Sequence, residues 1–561
     1  GIVLGDNVTV AAAADLKRPI VLSGVSLGEG AELRGCVVDR NSRVGRRAHI
    51  LEGAIIGAHC VLGEESQVRP AVAIWPSKAV EAGAIVSTSL IWGQGATRHL
   101  FGLRGISGLA NIEITPEFAV RLGAAYGSLL NPGAQVVVSR DQRSISRMIS
   151  RSLMAGLMST GIHIQDLEAT AIPIARYMVG HLAVVGGVHI RLDPERSDHL
   201  LIEFLDQRGI NLPTAQEKKL ETAYLREDLR RATVEGIGDI HTPGMAVAAY
   251  GEGFTRHLNG QAIRHSRAKV VIDYAYAVSG AVLPQLLAQL GCDALVLNAS
   301  LRQNPPTAAE RAKLLDQLGR VVTALEATLG IQVGANGEQL VVVDEQGRPA
   351  AGDELTALMA ALMLRHHPGQ TLVVPVTASG AVDQIAQIWG GRVIRTKANP
   401  AALMQACQEH RGVILGGSGD MGFIFPQLHP GFDGMFCIAK LIEILTIQED
   451  TLGQVRAQLP QVAYRVERVS CPSRLRGAVL RYLVEHHASR GLDLVDGVRL
   501  YPDFPRRDRW VLVLPQPTAP VLDIMVNGPD PTWVNLQVEH YTHLIDTFLH
   551  LEITHEIGVD Q

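Results

Sequence analysis

The chain has 561 residues, 47% of them apolar and 19% charged, with a formal net charge of -5. That balance describes several folded cores and excludes an intrinsically disordered protein. Neither a nucleic-acid nor a membrane partner is expected, and the six scattered cysteines form no CxxC pair, so reduced thiols and a cytoplasmic location are the expectation.

The first segment is periodic. From Val38, an aliphatic residue recurs at every sixth position: Val44, Ile50, Ile56, Leu62, Val68, Ile74, Val80 and Val86. Small residues follow four positions later at Ser42, Ala48, Ala54, Cys60, Ser66 and Ala84, and Gly45, Gly57 and Gly63 come directly after the aliphatic position. Leu27 and Leu33 begin a shorter run in another phase. This is the hexapeptide signature of a left-handed parallel β-helix over residues 1–95, with three hexads per triangular coil. His49 and His59 lie within it. Many hexapeptide coils transfer acyl groups through a histidine base, but no long protruding loop closes a donor site here. The two histidines read as outward corner residues, and the coil as a stacking, oligomerising element.

From about Leu100, short aliphatic strands alternate with amphipathic helices. Strands are predicted at Val136 to Ser139, Val270 to Asp273, Leu372 to Val376 and Val413 to Leu415. Helices are predicted at Arg147 to Met158, Leu283 to Leu290, Ala381 to Trp389 and Tyr541 to Leu551. The alternation implies mostly parallel sheets. Breaks divide the segment into units at 97–238, 239–346, 347–458 and 464–552, the last richer in paired strands.

Gly417-Ser-Gly-Asp-Met-Gly422 fits a dinucleotide fingerprint, but Pro426 and Pro430 block the helix that must follow it. A glycine-rich turn is the better reading. Arg226-Glu-Asp-Leu-Arg-Arg231 reads as a solvated charge run on a helix. Ser139-Arg-Asp-Gln-Arg143 lies at a strand end, where open α/β sheets bind ligands, and reads equally as a loop held by an Arg/Asp pair. The pairs His366/His367 and His486/His487 lack carboxylates at ligand spacing and read as surface residues.

Leu100-Phe-Gly-Leu-Arg-Gly-Ile-Ser-Gly108 resembles the opening motif of the phosphohexomutases, the phosphoglucomutase and phosphomannomutase superfamily. Ser139-Arg-Asp-Gln-Arg143, Asp273-Tyr-Ala, Asp344-Glu-Gln-Gly347, Phe425-Pro426 with Gly431-Phe-Asp-Gly434, and Trp510-Val-Leu-Val513 occur in the family's order. The resemblance covers about residues 97–552 and implies a four-domain α/β module, the fourth domain with an antiparallel sheet. A coil followed by this module resembles bacterial fusion proteins of the mannose-1-phosphate guanylyltransferase group. Leu90-Ile-Trp-Gly93 and the Arg226–Arg231 run look characteristic of that group. Their glycine-rich nucleotidyltransferase domain is absent here, so the chain looks like the C-terminal part of a longer protein.

By the same resemblance, four active-site loops have changed. The family's phosphoserine loop reads His189-Ile-Arg-Leu-Asp-Pro194, with Arg191 at the nucleophile position and Leu192 beside it. The metal loop, which needs three carboxylates for a hard cation, reads Gly334-Ala-Asn-Gly-Glu-Gln339. Gly334, Asn336 and Glu338 stand at the ligand positions. The sugar loop reads Gly417–Gly422. The phosphate loop reads Leu514-Pro-Gln-Pro-Thr-Ala-Pro520, without its arginine. The resemblance therefore implies a non-catalytic module with no cofactor, which scaffolds, oligomerises or regulates a nucleotidyltransferase domain in nucleotide-sugar metabolism. Homo-oligomers through the coil are expected. One alternative is a phosphomannomutase or phosphoglucomutase with a rebuilt, Mg2+-dependent site using Ser139, Arg140 and Asp141. Another is a sensor of a sugar phosphate or nucleotide sugar, with Arg104, Arg140, Arg143, Arg191 and Lys397 as ligand candidates.

Overall fold

The structure, a computed structural model, describes residues 1–559 apart from 88, 91–94, 97–98, 195, 228, 267, 301, 303–305, 488–490 and 517–518. The side chains of 95–96 and 552–559 lie outside the described set. Ile91 to Gly93, singled out above, fall outside it too.

The hexads become two- and three-residue strands stacked into three parallel sheets, the faces of a parallel β-helix. Val3 pairs with Ile20 and Ile20 with Val37, whereas Val37 pairs with Ile55 and Ile55 with Ala73. The early coils are thus one residue shorter than the later ones, and this explains the second phase of Leu27 and Leu33. Those two leucines point inward, like Val38 to Val86, and form the coil's own core. Gly45 is required by close approach: a Cβ there would sit 2.6 Å from the Glu64 nitrogen of the next coil. His49 faces outward and pairs with Glu32 one coil below at 2.7 Å. His59 occupies a corner at φ +59°.

Three α/β units and a fourth, antiparallel one follow. The first sheet runs Ile106–Leu109, His199–Asp206, Gly186–Leu192, Gln135–Arg140, His163–Ala169, Ile240–His241. The second is built around Val270–Asp273 and Leu329–Val333, and ends at Pro349–Ala350. Both sheets therefore reach a few residues beyond the breaks at 238 and 346, because two-residue edge strands carry no periodic pattern. The third sheet centres on Thr371–Pro375 and Val413–Ser418. The fourth is antiparallel throughout and is closed by the helix Pro531–Val559.

One hydrophobic core joins the first three units, from Val137 through Tyr250 to Phe436. A smaller cluster joins Val376 of the third unit to Trp510 and Tyr501 of the fourth. The loops at the strand ends of the first three units are thereby brought to one place. No described helix is long and apolar enough to cross a membrane.

Candidate functional site

A charge cluster, buried except for the partly exposed Arg104, sits where these loops meet. Arg104 comes from the opening segment and Arg176 from the helix Ile172–His181. Arg191 and Glu203 come from the paired strands Gly186–Leu192 and His199–Asp206, and Glu338 from the 334–339 loop of the second unit. Arg191 Nε donates to Glu203 Oε2 at 2.6 Å. Arg104 Nη1 donates to Glu338 Oε2 at 3.1 Å, and Arg176 Nε to Glu338 Oε1 at 3.3 Å. Arg176 Nη2 lies 3.2 Å from Glu338 Oε1 and 3.6 Å from Glu203 Oε1. Arg176 also donates to the Gly209 carbonyl at 3.1 Å and touches Met404 Sδ of the third unit at 3.7 Å. Both glutamates are 0% exposed, Arg176 1% and Arg191 3%.

Electrostatics decides the protonation states. Burial alone would raise the Glu203 carboxyl, but Arg191 and Arg176 outweigh it and hold the group below the usual carboxylate range. Burial likewise works against charge on Arg191, and Glu203 and Glu338 more than restore it. His189 is different: burial, with the Arg191 and Arg176 charges beyond Glu203's opposing pull, lowers it to about 3, so its ring is neutral. Its Nδ1 lies 2.8 Å from the Ser139 hydroxyl.

The family's metal does not fit this loop. Gly334 has no side-chain donor. Asn336 Nδ2 donates to Glu338 Oε2 at 2.8 Å, and Asn336 Oδ1 accepts from the Glu338 N–H at 3.1 Å. Both Glu338 oxygens already face guanidinium groups. A hard divalent cation needs several free oxygens, and no group of three or more His, Cys, Asp or Glu among the described residues could hold one.

The sequence-derived candidates separate in space. Arg104 and Arg191 are tied into the cluster and are not free ligand groups. Ser139 is 0% exposed and faces His189, so it is no cleft residue. Arg140 donates to the Asp141 carbonyl at 3.1 Å and lies outside the cavity beside the cluster. Lys397 is exposed in the third unit and does not line that cavity either. Asp141 accepts from the N–H groups of Arg143 and Leu192, each at 2.9 Å, and so fastens two strand ends together. Arg143, with Asp141, Arg191 and Leu192, borders a cavity of 160 Å³ between the first and second units.

Sequence reasoning missed Arg176, Glu203, Thr170, Arg302 and Arg311. Arg176 and Glu203 had a signal: each is a single charge inside an otherwise apolar run, Ile172 to Val179 and Leu200 to Leu205. Two surface readings also change, and the glycine-rich turn holds. The helix before the charge run ends at Arg226, and Arg230 lies beyond it, donating to the carbonyls of Gly127, Leu130 and Thr160 at 2.7, 2.8 and 3.0 Å. Arg230 thus adds side-chain donors to carbonyls at the C-terminal ends of two helices. His487 is buried against Tyr541 rather than exposed. Gly417–Gly422 closes a hairpin between Val413–Ser418 and Gly422–Phe425, with no helix after it. In the fourth loop, Pro517 and Thr518 lie outside the described residues.

The fold and the loop cluster define a phosphohexomutase-type α/β module carried on a hexapeptide β-helix. Residues 98–231, 248–347 and 351–463 match the phosphoglucomutase/phosphomannomutase alpha/beta/alpha domains I, II and III, and residues 1–91 match the GMPPB C-terminal domain. A phosphoglucomutase/phosphomannomutase of Thermococcus kodakarensis is 31% identical over 436 residues, 76% of this chain and 93% of that protein. The chain belongs to the phosphoglucomutase/phosphomannomutase family. A crystal structure of a family protein from Burkholderia thailandensis superposes with a TM-score of 0.69 at 20% identity, covering 80% of this chain and 97% of that one, and has the same fold.

Proposed function

We propose that the module is a non-catalytic member of its family, serving as a scaffold or regulator for a sugar-phosphate nucleotidyltransferase domain of the mannose-1-phosphate guanylyltransferase type. One observation carries the reading: the Arg104, Arg176 and Arg191 guanidinium groups fill the space around Glu338 at the family's metal loop. Phosphoryl transfer depends on positioning and on neutralising charge as it develops. Here Arg191, at the nucleophile position, is locked onto Glu203 and has no lone pair to accept a phosphoryl group. The stacked coil supplies a surface through which copies or partner domains would assemble.

The test is phosphorus NMR of the protein with glucose 1-phosphate or mannose 1-phosphate, magnesium and a hexose bisphosphate. No 6-phosphate signal is expected. Its appearance at a rate abolished by Arg140→Ala or Asp141→Ala would replace this reading with that of a mutase having a rebuilt site. Light scattering tests assembly, with an oligomer larger than one chain expected.

A further inference from the structure

The three faces of the coil differ in what they turn outward. On one face the outward residues of successive rungs are Val3, Ile20, Val37, Ile55 and Ala73, in register across five strands. Val3, Ile20 and Ile55 are exposed, and Val37 and Ala73 half-buried. The second face turns out Thr9, Ser26, Arg43, Val61 and Ala79. The third turns out Asp15, Glu32, His49, Gln67 and Ile85. Only the first face is aliphatic from end to end. Its inward residues, Val21, Val38, Ile56 and Ile74, already fill the coil's core, so the outward stripe is not needed to fill it. A continuous exposed apolar stripe marks an interaction surface.

The stripe is nearly palindromic, with Ile20 and Ile55 placed symmetrically about Val37. The position after each inward residue alternates between bulk and none. Leu22 and Trp75 are exposed there, and Gly5 and Gly57 carry no side chain. Two copies facing each other with antiparallel coils would set Ile20 against Ile55 and Val37 against Val37. Leu22 would lie over Gly57, and Trp75 over Gly5. A two-fold contact requires such self-complementarity. Asp39, the charged residue in this column, is held by its neighbour: it accepts from the Arg40 N–H at 2.7 Å, and Arg40 Nε lies 3.7 Å away. A parallel pairing would set Asp39 against Val37. It would also bring both α/β modules, which follow the last rung, to the same end, whereas the antiparallel pairing keeps them at opposite ends.

We propose that a second copy of this chain docks on this face, coil against coil and antiparallel, about a two-fold axis at the Val37 rung. The two stripes pack as facing sheets do, about 10 Å apart. Five rungs about 4.8 Å apart give a contact about 20 Å tall. That is small for a permanent interface, so the dimer forms and dissociates with concentration. The inference rests on the assembly part of the reading under Proposed function, and adds its surface and its partner.

Sedimentation velocity of the full chain across micromolar concentrations tests it. A monomer–dimer equilibrium is expected. Ile55→Glu places a carboxylate in the contact twice and should raise the dissociation constant about tenfold or more. Ile20→Lys, at the facing position, should do the same. An equimolar mixture of the two variants should recover a heterodimer, because one copy's Ile55→Glu then faces the other's Ile20→Lys. Val61→Glu, also exposed but on the second face, should leave the equilibrium unchanged. All three positions point outward, and an unchanged melting temperature reports that folding is intact. An oligomer that neither Ile55→Glu nor Ile20→Lys weakens, a trimer, or a mixture without recovery would overturn this contact and leave assembly through the coil standing. A monomer at every concentration would overturn both. Turnover in the phosphorus NMR assay would sink the non-catalytic reading and leave the contact untouched.

Discussion

The coil and the charge cluster are held together in opposite ways. In the coil every rung repeats the same contact with the rung seventeen or eighteen residues away, so stability is spread along one dimension. In the module five charged side chains, from Arg104 to Glu338, meet at one point and tie the first unit to the second, with Arg176 also reaching Met404 of the third. The coil can lose a rung locally. The cluster cannot lose a member without leaving buried charge uncompensated. A buried ion network is poor evidence of net stability, because desolvation offsets much of its Coulomb energy.

The largest effect should come from breaking the cluster. Glu338→Gln leaves Arg104 and Arg176 facing a neutral amide and should cost about 3–5 kcal/mol. Urea unfolding should show the module's transition moving to lower denaturant while the coil's stays in place. An equal shift of both would mean that the two regions unfold as one.

Next comes a rung of the coil. Ile56 is 0% exposed, and Ile56→Ala should cost about 2–4 kcal/mol through lost burial and a cavity. Hydrogen exchange should show the loss of protection confined to neighbouring coils. Loss extending into the first α/β unit would refute the one-dimensional picture.

Acid sharpens the contrast further. His189 is lowered from 6.5 to about 3 in the folded chain, so below pH 6.5 the unfolded chain binds a proton that the folded one refuses. Its contribution is complete above pH 6.5 and declines as pH falls toward 3. Glu203 acts in the same direction below 4.5, where the unfolded carboxyl protonates first. Between pH 6.5 and 4.5 the module should lose about 2 kcal/mol, and His189→Gln should flatten that slope in a series of thermal melts. A slope unchanged in the variant would assign it to other groups.

The smallest effect should come from the coil surface. Arg46 and Glu64, on neighbouring rungs at 3.3 Å, are both more than half exposed. Arg46→Ala should shift stability by less than about 1 kcal/mol, and a larger shift in the melt would show that outward ladders matter.

The coil was legible because its information is local. Val38 to Val86 announce inward positions at a fixed period, and neighbouring rungs need only that period to stack. The strands Gln135–Arg140, Val270–Asp273 and Val413–Ser418 were legible for the same reason, the first to within one residue of its start. The loop motifs, read beside a known family, marked where the mutase centre should lie and which residue types had changed there. They did not tell where the replacements point. Arg191 pairs with Glu203 across two adjacent strands, but its second partner, Glu338, is 147 positions along the chain, and Arg104 and Glu338 are separated by 234. No periodic pattern encodes such a meeting. The sequence by itself determined the repeat and the α/β alternation. Only the tertiary structure decided that Arg104, Arg176 and Arg191 neutralise buried glutamates while Arg143, Arg302 and Arg311 face a cavity, because charge pairing over those separations exists only once the first two units have packed together.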